Sequence, residues 1–417
     1  MPSQRFVIVG AGLTGGAAAS TLRDEGFDGE IVLIGEEPHA PYERPPLSKE
    51  YLRGEQPFEK GYLRPPEWYE QNGVGLRLAT RATRVDVADR VVHLRDGGFV
   101  RYDRALVATG GRNRRLAVAG ADLDGMHELR TREDADALKA EAVPGRRAVL
   151  VGAGFIGAEV AASLRTLGVE VEVIELFRTP LQRVVGPEVG RVFEAIHREH
   201  GVRFHFGQSV QRFEGSNRVE AVVTDRGVRI GCDFAVVAVG IHPATGVVDG
   251  TPIDVENGIL ADERCRTNVP DVYAAGDVAN HLHPLFGRLL RVEHYDNALK
   301  QGAAAARSMM GQDAVFDDPH WFWSDQYEHN LQYLGHAPAW DELVVRGSLK
   351  DRRFVGFYVR NGVVDGVVGL DAGNDVRRCA ALVRARRPVD PALLRDEDVD
   401  LKKLGRDLLR AGTGAGR

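Results

Sequence analysis

Two patterns of hydrophobic and polar positions alternate along this chain. Short continuous apolar runs end in glycine, and alanine-rich stretches with helical spacing follow them. Phe6-Val7-Ile8-Val9 reads as a buried strand leading into Gly10-Ala11-Gly12-Leu13-Thr14-Gly15, a helical stretch, and a second strand over Glu30–Ile34. That order predicts a βαβ unit. It returns as Ala148-Val149-Leu150-Val151, Gly152-Ala153-Gly154-Phe155-Ile156-Gly157, a helix over Ala158–Leu167 and a strand over Val171–Glu175. Two further runs, Ala105-Leu106-Val107-Ala108-Thr109-Gly110 and Ala235-Val236-Val237-Ala238-Val239-Gly240, are expected to close one unit each.

A third strand-to-glycine element is Val272-Tyr273-Ala274-Ala275-Gly276-Asp277. From about Asp318 the texture becomes aromatic and β-rich. Phe354–Tyr358 and Val363–Leu370 read as strands joined at Asn361-Gly362, and a helix over about Asp375–Arg387 stops before Pro388. The tail after Leu409 is expected to be flexible.

Composition narrows the class. A chain of 417 residues, 43% hydrophobic and 27% charged, is expected to form two or three soluble domains. Its net charge of −6 gives no long-range attraction for nucleic acid or acidic membranes, so neither is an expected partner. No apolar run reaches the roughly 18 residues that span a bilayer, and the N-terminus has no signal-like stretch; a cytoplasmic location is expected. Cys232, Cys265 and Cys379 form no C-x-x-C or C-x4-C pair, so no local redox disulfide is expected, and no metal site either.

The glycine loops carry the chemistry. In G-x-G-x-x-G the first glycine permits a tight turn, the second lets backbone approach a pyrophosphate, and the third allows close packing of helix on strand. The helix N-terminus adds unpaired N–H groups and the positive end of its dipole. The acid expected about 20 residues on, for ribose hydroxyls, is Glu36 in the first copy and Glu175 in the second. Two bound dinucleotides are therefore expected. Glu175 would repel a 2′-phosphate and favour NADH, although Arg178 and Arg183 lie near enough in sequence to serve NADPH.

Several strings together resemble one family. They are Pro41-Tyr42-Glu43-Arg44-Pro45-Pro46-Leu47-Ser48-Lys49, Gly152 to Glu159, Tyr273 to Asp277, Val292-Glu293-His294-Tyr295-Asp296-Asn297 and Trp321-Phe322-Trp323-Ser324-Asp325-Gln326. The chain resembles the FAD-dependent ferredoxin reductases of bacterial oxygenase and cytochrome P450 systems, which share the pyridine nucleotide-disulfide oxidoreductase fold but lack the redox disulfide. Tyr295 stands where tryptophan is common, and Tyr327-Glu328-His329-Asn330 is more polar than usual.

The resemblance implies an α/β fold with two Rossmann-like dinucleotide-binding domains, the NAD domain inserted in the FAD domain, plus a C-terminal α+β domain. The implied boundaries are 1–110 and 241–317 for FAD, 111–240 for NADH, and 318–417 for the C-terminal interface domain with its flexible tail. For FAD it implies Gly10, Gly12, Leu13, Thr14, Gly15, Glu36, Arg44, Pro45, Lys49, Ala82, Ala108, Thr109, Gly110, Arg112, Gly276, Asp277, Glu293, His294, Tyr295 and Trp323. For NADH it implies Gly152, Gly154, Phe155, Ile156, Gly157, Glu159, Glu175, Arg183, Val239 and Gly240. Lys49 and Glu159 are expected as an ion pair near the reactive edge, with Trp323 against the isoalloxazine.

The implied activity is NADH-dependent reduction of a ferredoxin that serves a P450 or a Rieske dioxygenase. An oxidase or quinone-type flavoprotein, and a flavin-binding signalling protein like apoptosis-inducing factor, stay open, because fold alone does not separate them. Arg352, Arg353, Arg377, Arg378, Arg384, Arg386 and Arg387 are candidates for a basic docking patch.

Overall fold

The computed structural model describes residues 4–413. The chain folds as two compact units. The first combines the stretch up to Glu43 with Phe58–Arg112 and Ile241–His320; the second combines Arg44–Pro57, Asn113–Gly240 and the stretch from Trp321 on.

The first unit is built on a five-stranded sheet in the order Val272–Ala274, Arg104–Val107, Arg5–Val9, Glu30–Ile34, Val74–Arg77, every pair parallel. Its strands are apolar on both faces, as a sheet covered on both sides requires. Phe6, Ile8, Ile31 and Leu33 pack on one face beneath helices Leu13–Asp24 and Tyr295–Met309. Val7, Val9, Val32 and Ile34 pack on the other. A small antiparallel sheet, Ala82–Asp86, Val91–Leu94 and Phe99–Arg101, covers part of that second face.

The second unit has a matching parallel sheet in the order Arg203–Phe206, Glu170–Glu175, Arg147–Val151, Phe234–Val237, Met126–His127. It also holds the antiparallel sheet Trp321–Gln326, His329–Gly335, Val363–Leu370, Arg353–Arg360, Glu342–Ser348. The α/β class with two Rossmann-like sheets and a C-terminal α+β portion is thus the one expected. Leu52, from the short stretch Arg44–Pro57, is fully buried with Leu138, Leu150 and Val160, which anchors that stretch in the second unit. Tyr358 Oη donates to the Val185 carbonyl at 2.7 Å and Phe155 meets Phe322 edge-on, so the antiparallel sheet packs on the parallel-sheet half of its own unit.

Three local expectations are corrected. The helix after the second glycine loop begins at Phe155, three residues early, because the loop itself supplies its first turn. The single helix over 375–387 is two, Gly373–Arg378 and Ala380–Ala385, ending where Arg386 takes a left-handed φ of 48°. The tail is helical over Leu401–Thr413, an amphipathic helix with Leu401 buried; residues 414–417 of the expected flexible tail lie outside the described residues. Asn361 and Gly362 both have positive φ, 51° and 76°, as a two-residue hairpin turn requires. Among the described residues no helix is long and apolar enough to cross a membrane.

Candidate functional site

In the first unit, strand Arg5–Val9 ends at Gly10, whose φ of 118° excludes other side chains and whose N–H donates to the Ile34 carbonyl at 2.8 Å. A Cβ on Gly10 would come closer than 3.0 Å to the Ala108 carbonyl, and one on Gly15 would do the same to the Gly10 carbonyl. A Cβ on Gly12 would meet nothing within 4 Å. The outer glycines are therefore needed for packing, while the middle one faces open space. Gly12 caps helix Leu13–Asp24 with no side-chain hydrogen bond and no acid in the first turn, so its N–H groups are left for an anion. This cradle fits a dinucleotide pyrophosphate.

The Gly276-Asp277 turn seats beside this loop. A Cβ on Gly276 would overlap Thr14 Oγ1, and the Gly276 N–H donates to Gln301 Oε1 at 2.8 Å. Asp277 is thereby held next to Thr14, and its carbonyl accepts from Arg291, which also pairs with Glu293 at 2.6 Å. Glu36 is exposed and ion-paired with Arg112 at 3.0 Å and Arg81 at 3.3 Å. Arg81 was missed by the sequence reading; its signal is a cation opposite the ribose-type acid. Thr109 Oγ1 donates to the Ala244 carbonyl at 2.8 Å, and Gly110 has a φ of 68°. His294 caps helix Tyr295–Met309, and Tyr295 Oη donates to Glu43 Oε1 at 2.6 Å. Burial, then this carboxylate, push the Tyr295 phenol above its ordinary range. Ala82 opens the small sheet.

The second unit repeats the cradle. A Cβ on Gly152 would stand 2.5 Å from the Ala238 carbonyl, one on Gly157 would overlap Gly152, and Gly154 again faces open space. Gly154 caps helix Phe155–Thr166 without a side-chain bond or an acid in the first turn. Glu175 is buried, its carboxylate accepting from the Ala153 N–H at 2.6 Å and the Phe177 N–H at 2.8 Å. The negative charge is thus fixed at the strand end. Ile156, Leu176 and Phe177 are exposed, as are Arg178 and Arg183. Gly240, beyond Val239, has a φ of 95°, and its carbonyl accepts from Arg114 at 2.9 Å.

The same unit holds a buried polar group. Lys49 and Glu159 are each 4% exposed, with Nζ 3.2 Å from Oε2. Glu159 Oε2 also accepts from Ser48 Oγ at 2.5 Å, and Oε1 accepts from Ser324 Oγ at 2.7 Å. Ser163 Oγ ties back to the Ser48 carbonyl at 2.7 Å, and Gln326 donates to Ser324 Oγ at 3.0 Å. Both carboxylate oxygens are satisfied, which is what lets a charged pair stay buried. Lys49 Nζ lies 6.0 Å from the centroid of Trp323, whose Nε1 donates to Asp325 Oδ2 at 3.0 Å and whose ring stacks on Trp321. Arg44 donates to the Arg130 carbonyl, and Pro45 starts the one-turn helix Pro45–Ser48 that aims Ser48 and Lys49. Ser48 and Ser324 were not singled out in the sequence, although both sit inside the E-R-P-P-L-S-K and W-S-D-Q strings.

Cys232, Cys265 and Cys379 are buried free thiols. Burial pushes Cys232 and Cys379 up to about 12 and Cys265 higher still, so all three stay protonated and inert.

Known proteins agree with this architecture. Residues 4–302 match the pyridine nucleotide-disulphide oxidoreductase family and residues 321–405 the reductase C-terminal family. The probable ferredoxin reductase CtmF of Castellaniella defragrans is 40% identical over 372 residues, covering 89% of this chain and 91% of that protein. Putidaredoxin reductase CamA of Pseudomonas putida is 36% identical over 411 residues, covering 96% and 97%. The reductase in the crystal structure of the covalent putidaredoxin reductase–putidaredoxin complex superposes with a TM-score of 0.94 at 34% identity, covering 99% of this chain and 100% of that one. With two dinucleotide cradles, a reductase C-terminal module and no cysteine pair, the chain belongs to the pyridine nucleotide-disulphide oxidoreductase family, among its FAD- and NAD(P)H-using ferredoxin reductases.

Proposed function

We propose that this chain is an NADH:ferredoxin oxidoreductase whose carrier serves a cytochrome P450 or a Rieske oxygenase; similar proteins include the ferredoxin–NAD(+) reductase component of an anthranilate 1,2-dioxygenase system and the ferredoxin reductase for the CYP199A2 system. The observation that carries it is the pair of open-centred glycine cradles, one in each unit. When bound, FAD supplies the conversion between a two-electron hydride donor and one-electron transfer to an iron–sulfur carrier.

The chain's own residues bind and position. Gly12 and the unpaired N–H groups at the start of helix Leu13–Asp24 would hold the FAD pyrophosphate, Gly10 and Gly15 keep the loop tight enough for that approach, and Thr14 seats the turn from which Asp277 would reach the ribityl side. Gly154 and the start of helix Phe155–Thr166 would do the same for the nicotinamide dinucleotide, with Gly152 and Gly157 keeping that loop tight, and the charge of Glu175 would disfavour a 2′-phosphate. Lys49, anchored by Glu159 and its two serines, would supply a positive charge held in a water-poor setting. Arg44, Pro45 and Trp323, in the same unit as Lys49, are the further residues proposed as flavin contacts. A cytoplasmic location fits three unpaired, buried thiols.

The test is cytochrome c reduction by NADH and by NADPH, with and without a panel of purified ferredoxins. NADH is expected to be the better donor, and turnover is expected to need a ferredoxin. Equally fast oxygen consumption without any carrier would assign the chain to the oxidases instead.

A further inference from the structure

Strand Ala279–His283 of the first unit carries histidines at alternate positions, so His281 and His283 project to one face while Leu282 projects to the other and is 41% exposed. His320, the last residue of this unit, meets them there. His281, His283 and His320 are 1%, 0% and 3% exposed, and one ring nitrogen of each lies within 4.8 Å of the other two. The sequence reading expected no metal site, because it weighed only the cysteines.

We propose that His281, His283 and His320 form a binding site for a divalent transition-metal ion, zinc in the first instance. Two observations point to a ligand rather than to ring packing alone. The Nε2 of His281 is fully buried and has no hydrogen-bond partner among the described residues, while the ring bonds to the backbone of Leu290. A neutral imidazole held in this way turns one lone pair inward, which is the tautomer that a metal takes. His283 is oriented similarly, its Nε2 standing 3.0 Å from the Asp318 carbonyl. Second-sphere bonds to backbone carbonyls are the usual way of fixing ligand histidines.

The donor set is imidazole with no thiolate, which suits zinc, copper, nickel or iron. Binding at about 2.0–2.1 Å asks the rings to draw in slightly from their present spacing. Phe286 and Phe316 pack against the cluster and shield it with apolar rings. An ion here would clip the strand that follows the Gly276–Val278 turn to the segment beyond helix Tyr295–Met309.

The test uses untagged, FAD-loaded full-length protein, stripped with a chelator, dialysed against micromolar zinc and measured for metal by mass spectrometry. About one equivalent per chain is expected, falling at least tenfold in His281→Asn/His283→Gln protein that keeps its FAD. Should that variant fail to fold, cobalt titration of the stripped wild type replaces it, with tetrahedral d–d bands at one equivalent expected. Negligible zinc uptake by the wild type would overturn the site. So would an equivalent that survives in the folded variant, or cobalt bound without those bands.

Discussion

Lys49 and Glu159 test how a buried charge is kept. Removing one partner of a buried pair typically costs about 3–5 kcal/mol, because the other is left uncompensated. Glu159 has two serine donors besides Lys49, whereas Glu159 is the ionic partner found for Lys49. Glu159→Ala is therefore expected to destabilise by about 3 kcal/mol and Lys49→Met by distinctly less, read from urea unfolding of FAD-loaded protein. Lys49→Met should also slow flavin reduction by NADH; an unchanged rate would remove Lys49 from the chemistry. At Glu175 a different outcome is expected. Glu175→Ala removes the fixed charge and leaves the Ala153 and Phe177 N–H groups unpaired. The ratio of kcat/KM for NADPH over NADH should rise about tenfold, equivalent to roughly 1.4 kcal/mol, and steady-state kinetics with both donors would measure it. The acid was legible from its place at the strand end. Its inward turn was not, because the two N–H groups that hold it belong to the folded loop.

The glycine loops show which parts of an element its sequence reveals. Strand, three glycines and helix were all readable in order, since apolar runs and Gly spacing are local properties. Which glycine packs and which lies open depends on the strand end opposite, at Ala108 or Ala238, far along the chain. The two kinds are expected to fail differently. Gly15→Ala should give misfolded or insoluble protein, whereas Gly12→Ala should fold with normal circular dichroism yet retain little FAD, as its absorbance ratio would show. The split of the 375–387 helix was not legible, because helical spacing continues through the break. Helix Gln182–Glu199 carries a pH-sensitive contact with strand Trp321–Gln326. His197 Nε2 is 2.8 Å from Gln326 Oε1, and burial lowers its pKa from 6.5 to about 4. Unfolding releases a base that protonates below 6.5, so the stability it contributes is full above that value and is lost as the pH falls toward 4. Between neutrality and roughly pH 5 the loss is on the order of 2 kcal/mol. His197→Gln should remove that slope from urea-unfolding curves.

At the scale of the molecule, three of the seven candidate docking arginines are tied up in ion pairs. Arg352 pairs with Glu199, Arg378 with Asp375 at 3.0 Å and Arg386 with Asp365 at 2.6 Å, so their charge is largely offset locally. Arg377 bonds to the amides of Asn374 and Gln332 and keeps its full charge, and Arg353 is exposed. Arg353→Gln/Arg377→Gln protein is expected to reduce an acidic ferredoxin several-fold more slowly at low salt, with the difference vanishing at high salt. Stopped-flow measurement across ionic strength would show it, and an equal slowing at every salt concentration would argue against steering. Sequence composition located these arginines but not the partners of Arg352 and Arg386, Glu199 and Asp365, which come from other segments. The return of Val272–Ala274 to the sheet begun by Arg5–Val9 has a consequence for biosynthesis. On a ribosome adding about 5–20 residues per second, the strand Arg104–Val107 waits roughly ten to thirty seconds for its neighbour to emerge. During that interval it offers an unpaired apolar edge. Messages truncated before Val272, or stalled there, should therefore yield aggregating fragments and place a demand on chaperones that the finished protein does not.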